Sequence, residues 1–169
     1  QHQGVQRFNL ARELTIDEVR GIRETVDAEL EIFVHGAMCL AYSGRCLLSA
    51  HLNRRSANRG ECTQPCRWSY QLVESTRPQE PLPIEEDRNG TYILNSKDLC
   101  LIGEIRALSR LGLNAFKIEG RMKGLLYLAT VVRAYRQAID SIEGRSPAGL
   151  SPEALWEEVC SLSHRPYTK

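Results

Sequence analysis

Leu30, Ile32 and Val34 alternate with Glu31, Phe33 and His35 ahead of Gly36. Such period-two patterning specifies a half-buried strand. Just upstream, Thr15-Ile16-Asp17-Glu18 has the form of a capping box: the Thr15 hydroxyl can accept from the Glu18 amide while the Glu18 carboxylate reaches back. Ile16, Val19, Ile22 and Val26 then recur on one helical face, and Gly4 to Leu10 ahead of the cap reads as a short strand. Strand, helix, strand with a parallel crossover is the opening of an α/β unit.

The rhythm returns downstream. Gly90 to Asn95 reads as a strand, Asp98 as the cap of a helix through about Leu111, and Gly112 as its terminator. Asn114 to Gly120 is a further strand, followed by a helix over 123–142 with Leu125, Leu128, Val132, Tyr135 and Ile139 on one side. Repeated units of this kind predict a parallel sheet, and the fold expected is a piece of a (β/α) TIM-like barrel carrying an inserted cysteine-rich loop. The barrel portion is placed at residues 1–145, with the cysteine-rich loop over 36–70 and a proline- and acid-rich exposed loop over 74–89. Ser151-Pro152-Glu153 starts a short helix with Leu155, Trp156, Val159 and Leu162, within a C-terminal extension expected over 146–169. With Gln first and a last segment that reads as cut short, the chain is expected to be part of something longer.

At 169 residues, 42% apolar and 25% charged, the chain has the makings of one ordinary core. No apolar run reaches the ~18 residues a membrane span needs. A formal charge of +1 points to no polyanionic partner, so any such partner must be argued from local clustering.

Clustering is what residues 31–70 supply. Four of the six cysteines fall there as Cys39-x6-Cys46-x15-Cys62-x3-Cys66, surrounded by Arg45, Arg54, Arg55, Arg59 and Arg67. Long amphipathic helices make disulfide staples unnecessary, which favours a reducing, cytoplasmic setting with cysteines as ligands. Flanking arginines favour thiolates and offset the charge of a four-thiolate iron–sulfur cluster. Zinc is the weaker alternative, since only Cys62 and Cys66 form a close pair of the usual kind. Cys100 and Cys160 read as core residues, with Cys100 left open as a replacement for Cys66.

The run E-I-F-V-H-G-A-M-C-L-A-Y-S-G-R-C-L-L-S, with Tyr92-Ile-Leu-Asn-Ser-Lys-Asp-Leu-Cys and Lys117-Ile-Glu-Gly-Arg121, resembles the peptidase U32, or collagenase-like, family. The similarity is strongest to the branch that hydroxylates tRNA wobble uridine to 5-hydroxyuridine. That resemblance implies a barrel-like domain, a [4Fe-4S] cluster on Cys39, Cys46, Cys62 and Cys66, and tRNA as partner. It also implies an enzyme, or a component of one. A collagenase-like peptidase and a non-catalytic cluster-bearing scaffold are the alternatives, although the chain shows no G-x-S-x-G and no H-E-x-x-H.

Lys117, Glu119 and Arg121 alternate with Phe116, Ile118 and Gly120, so the three charges share one strand face near the end where barrel active sites lie. They are candidate catalytic residues, together with His35, and are expected to meet an acidic small-molecule oxygen donor or cosubstrate. His35 reads equally as a structural histidine. Arg45, Arg54, Arg55, Arg67 and Trp68 are the candidate RNA contacts, with Arg59, Lys123 and Tyr70 beside them.

Overall fold

The computed structural model describes residues 4–68, 70–73, 75–79, 82–83, 97–145 and 150–168. In chain order these form β1 (Arg7–Asn9), α1 (Ile16–Thr25), β2 (Glu29–Ala37), α2 (Leu48–Asn53), β3 (Gln71–Leu72) and β4 (Leu82–Pro83). Then come β5 (Asp98–Cys100), α3 (Ile105–Ser109), β6 (Ala115–Ile118), α4 (Leu125–Ile142), α5 (Pro152–Cys160) and β7 (Tyr167–Thr168). The chain divides into two compact units, residues 1–38 with 97–169 and residues 39–96.

The first unit is a mixed α/β layer built on β2. Glu31 pairs with β1 on one edge and β6 on the other, and His35 pairs with β6 and β5, so β1 and β5 follow one another along the same edge. β1 and β6 run parallel to β2, as the strand–helix rhythm predicts, and β7 adds parallel to β5. The β5 strand runs antiparallel to β2, a departure from the all-parallel expectation.

That departure originates at Asp98. In place of a helix cap it is the first residue of β5, fully buried, and its carboxylate accepts from the Arg165 amide at 3.1 Å while Lys123 Nζ stands 3.5 Å away. The apolar run Leu99-Cys100 behind it is buried in the sheet, and the helix begins only at Ile105. The expected strand over 90–95 lies outside the described residues.

Thr15 forms the anticipated capping box, with Thr15 N donating to Glu18 Oε2 at 2.7 Å. α1, α3, α4 and α5 supply the core with Val19, Ile105, Leu108, Val131 and Val159, which pack on Ile32 and Val34. On α4 the buried stripe is Tyr127, Val131, Ala134 and Tyr135, whereas Leu125 and Val132 are exposed, so the stripe is rotated from the one expected. Aromatic hydroxyls draw it round: both tyrosines bond to β2 residues.

In the second unit, α2 and two 3-10 turns, Ala57–Arg59 and Pro65–Arg67, are tied together at Thr63. Its amide donates to Ser49 Oγ at 3.1 Å, and its hydroxyl meets Ser49 Oγ at 3.1 Å and the Asn53 amide at 2.7 Å. β4, within the loop expected over 74–89, pairs antiparallel with β3 just ahead of it, and residues 75–79 are exposed. Among the described residues no helix is long and apolar enough to cross a membrane.

Candidate functional site

A β-bulge between Phe33 and His35 decides where the β2 side chains go. Strict alternation would put His35 on the face of Glu31 and Phe33; the extra residue turns Val34 and His35 both into the buried layer, where His35 is 1% exposed. There its Nε2 lies 2.9 Å from the Tyr127 hydroxyl and its Nδ1 3.4 Å from that of Tyr135. Tyr135 donates its single proton to the Val34 carbonyl at 2.7 Å, so Nδ1 must carry the histidine proton and Nε2 accepts from Tyr127. Burial lowers the His35 pKa from its usual 6.5 to about 4, with Lys123 and His164 pushing the same way and Asp98 opposing. A neutral histidine enclosed by Tyr127, Tyr135 and Tyr167 results. Its environment is that of a satisfied core residue.

Glu119 is also drawn into the backbone. Its carboxylate accepts from the Arg121 amide at 3.0 Å and the Ala37 amide at 3.4 Å, locking the ends of β6 and β2 together. The two strands approach so closely that a Cβ on Gly36 (φ +113°) would lie 2.2 Å from the Glu119 carbonyl oxygen. Phe116 and Ile118 face the core as alternation requires, and Lys117 lies on the opposite face, pairing with Glu31 at 2.8 Å. Arg12 stacks 3.8 Å above Phe33 on the same strand face. Lys117 and Arg121 keep substantial exposure. The three expected catalytic charges therefore divide, with Glu119 turned to the backbone and the two cations open to solvent.

Cys39, Cys46, Cys62 and Cys66 all belong to the second unit, whereas Cys100 and Cys160 belong to the first. None of the six is in a disulfide. Burial pushes the Cys100 thiol up, which disfavours the thiolate a ligand needs, while Cys160 is half-buried rather than fully in the core. Gln64 takes a left-handed conformation (φ 54°) and donates its amide to Cys62 Sγ at 3.3 Å. An amide aimed at sulfur lowers the energy of a thiolate, so the donor chemistry suits a soft metal or cluster. The side chains are not gathered: among the described residues no three His, Cys, Asp or Glu groups converge on a metal position.

Arg45, Arg54, Arg55 and Arg59 are exposed and, among the described residues, make no ion pair. Trp68 is 48% exposed, but the Arg67 guanidinium is half-buried with its Nε enclosed. Tyr42, which the sequence reading passed over, is 77% exposed. An aromatic next to Ser43-Gly44, a turn pair, was the available signal.

The family model for peptidase family U32 matches residues 1–169. The chain belongs to family U32. Within the family, the tRNA hydroxylation protein P of Haemophilus influenzae is 39% identical, over 98% of this chain and 45% of its own length. A 23S rRNA 5-hydroxycytidine C2501 synthase of Escherichia coli is 39% identical over 82% of the chain and 20% of that protein. A collagenase of Porphyromonas gingivalis is 41% identical over 78% of the chain and 33% of that protein. The chain thus spans less than half the length of these U32 relatives. No solved structure matches it.

Proposed function

We propose that this U32 chain is part of an iron–sulfur enzyme that hydroxylates C5 of a tRNA wobble uridine. The carrying observation is the alignment with tRNA hydroxylation protein P, which takes in 98% of the chain and therefore both units. A second relative, named for 5-hydroxycytidine synthesis, supports the same chemistry at C5 of a pyrimidine. The rest of the barrel, on this reading, comes from the remaining length of such proteins.

Cys39, Cys46, Cys62 and Cys66 are the ligands we assign to a [4Fe-4S] cluster, chosen over Cys100 because they share one unit and one arginine-rich stretch. A bound cluster would supply electron transfer. Replacing the C5 hydrogen by hydroxyl is a two-electron oxidation of the base and needs an oxygen donor. Lys117 and Arg121, the exposed cations at the end of β6, suit an acidic small molecule in that role. His35 and Glu119 act from behind, fixing the ends of β2 and β6.

The collagenase name supports a second reading, peptide hydrolysis. The geometry gives it less: His35 uses its ring nitrogens on tyrosine hydroxyls, and His164 on the Arg165 and Cys160 carbonyls, not on a nucleophile. The test is anaerobic purification of the full-length protein with iron and sulfide quantified and tRNA nucleosides analysed by mass spectrometry. Cys39→Ala, Cys46→Ala, Cys62→Ala and Cys66→Ala each lose the iron and the 5-hydroxyuridine, while Cys100→Ala keeps both. Full hydroxylation by iron-free protein overturns the proposal.

A further inference from the structure

Residues 39–68 contain five arginines and one acidic residue, Glu61, in a chain whose formal charge is +1. In the first unit several cations have acidic partners: Arg7 with Glu29, Lys123 with Asp98, Arg133 with Glu158 and Arg136 with Asp140. Four exposed arginines, without acidic partners among the described residues, raise a local positive potential over this stretch.

Two exposed aromatics, Tyr42 and Trp68, fall in the same stretch of sequence. The Arg45 amide donates to the Tyr42 carbonyl at 3.1 Å, and this turn, with Gly44 at φ 78°, brings a phenol ring and a guanidinium to the two ends of four residues. Arg54 ends α2 in the left-handed conformation and Arg55 follows it. Arg59 and Trp68 close the two 3-10 turns, which the Ser49–Thr63–Asn53 network holds against α2. Leaving a phenol and an indole in water has a cost in apolar exposure, and a flat partner removes that cost.

We infer that Tyr42 and Trp68, with Arg45, Arg54, Arg55 and Arg59, form a platform for unpaired RNA nucleotides. Bases splayed from a loop stack on the two rings while the arginines contact the intervening phosphates. A duplex offers the phosphates but no free base faces, because its bases are already stacked and its deep groove is closed to side chains. This rests on the RNA reading above and narrows it to single-stranded loops, with residues 39–68 as the reader.

The experiment measures binding of the full-length protein, at matched metal content, to a fluorescein-labelled oligouridine 12-mer and to a hairpin duplex of equal charge. The 12-mer binds more tightly. Tyr42→Ala and Trp68→Ala each weaken it by roughly 5- to 150-fold, the range expected for one lost base stack. Tyr42→Phe, which keeps the ring, retains wild-type affinity and so separates stacking from folding. The slope of log K against log salt is about −3 for four phosphates and falls by about 1.4 in Arg54→Ala/Arg55→Ala. Equal affinity for the duplex, or unchanged affinity in Tyr42→Ala, overturns the platform. If tRNA is still hydroxylated in that case, the function stands and only the platform falls. Tight, Tyr42-dependent binding by protein that neither holds iron nor hydroxylates uridine overturns the function and leaves the platform.

Discussion

The two units handle polar groups in opposite ways. In the first unit several buried groups find partners internally: Asp98 in Lys123 and the Arg165 amide, Glu119 in two backbone amides, His35 in two tyrosines. In the second unit a polar network at Thr63 holds the backbone, and the arginines and the rings of Tyr42 and Trp68 are left to solvent. Among the described residues it also contains both non-glycine residues with left-handed backbone, Arg54 and Gln64. Left-handed residues of this kind cost of order 1 kcal/mol or more each and cluster where function holds them. The two units thus differ in whether their exposed cations find acidic partners.

If the first unit is a scaffold closed by tight strand contact, its largest sensitivity lies at Gly36. Gly36→Ala places a methyl 2.2 Å from the Glu119 carbonyl oxygen and strains a φ of +113°, so it destabilises by about 3 kcal/mol or more. Hydrogen exchange in the full-length protein is expected to show faster exchange of β2 and β6 peptides with little change over 39–68. Loss of protection throughout residues 39–68 as well would break the comparison.

The buried histidine gives a smaller and pH-dependent effect. With its folded pKa near 4 against 6.5 unfolded, the unfolded chain binds the extra proton between those values. Stability is therefore full above about pH 6.5 and falls as pH drops toward 4, by about 3 kcal/mol in total for this 1% exposed group. Denaturation of the wild type and of His35→Gln across pH 4 to 7 measures it. The variant is less stable at neutral pH and has a flatter profile; an equal slope in both proteins would mean that His35 is already solvated.

How much of this was written in the sequence depends on how local each cause is. The capping box at Thr15, the proline start of α5 and the Phe116/Ile118 alternation were legible because neighbours in sequence decide them. His35 was misplaced because a single bulge reverses parity, and nothing in Glu-Ile-Phe-Val-His announces a bulge. Asp98 looked like a cap because its partners, Lys123 and the Arg165 amide, are distant in sequence. The cysteine and arginine spacing marked the second unit as chemical, whereas Tyr42, signalled only by the neighbouring Ser43-Gly44 turn pair, stands out through its exposure.

The smallest effect sharpens the comparison most. Arg54 caps α2 at φ 56°, a conformation glycine adopts without the Cβ clash, so Arg54→Gly stabilises the α2 C-terminus by up to about 1 kcal/mol. It also deletes one of the phosphate contacts proposed for single-stranded RNA. Slower exchange over 48–53 together with a shallower salt slope would show a residue kept for binding at the expense of the local fold. Faster exchange would mean that the arginine stem packs in a structural role, and the second unit would then resemble the first.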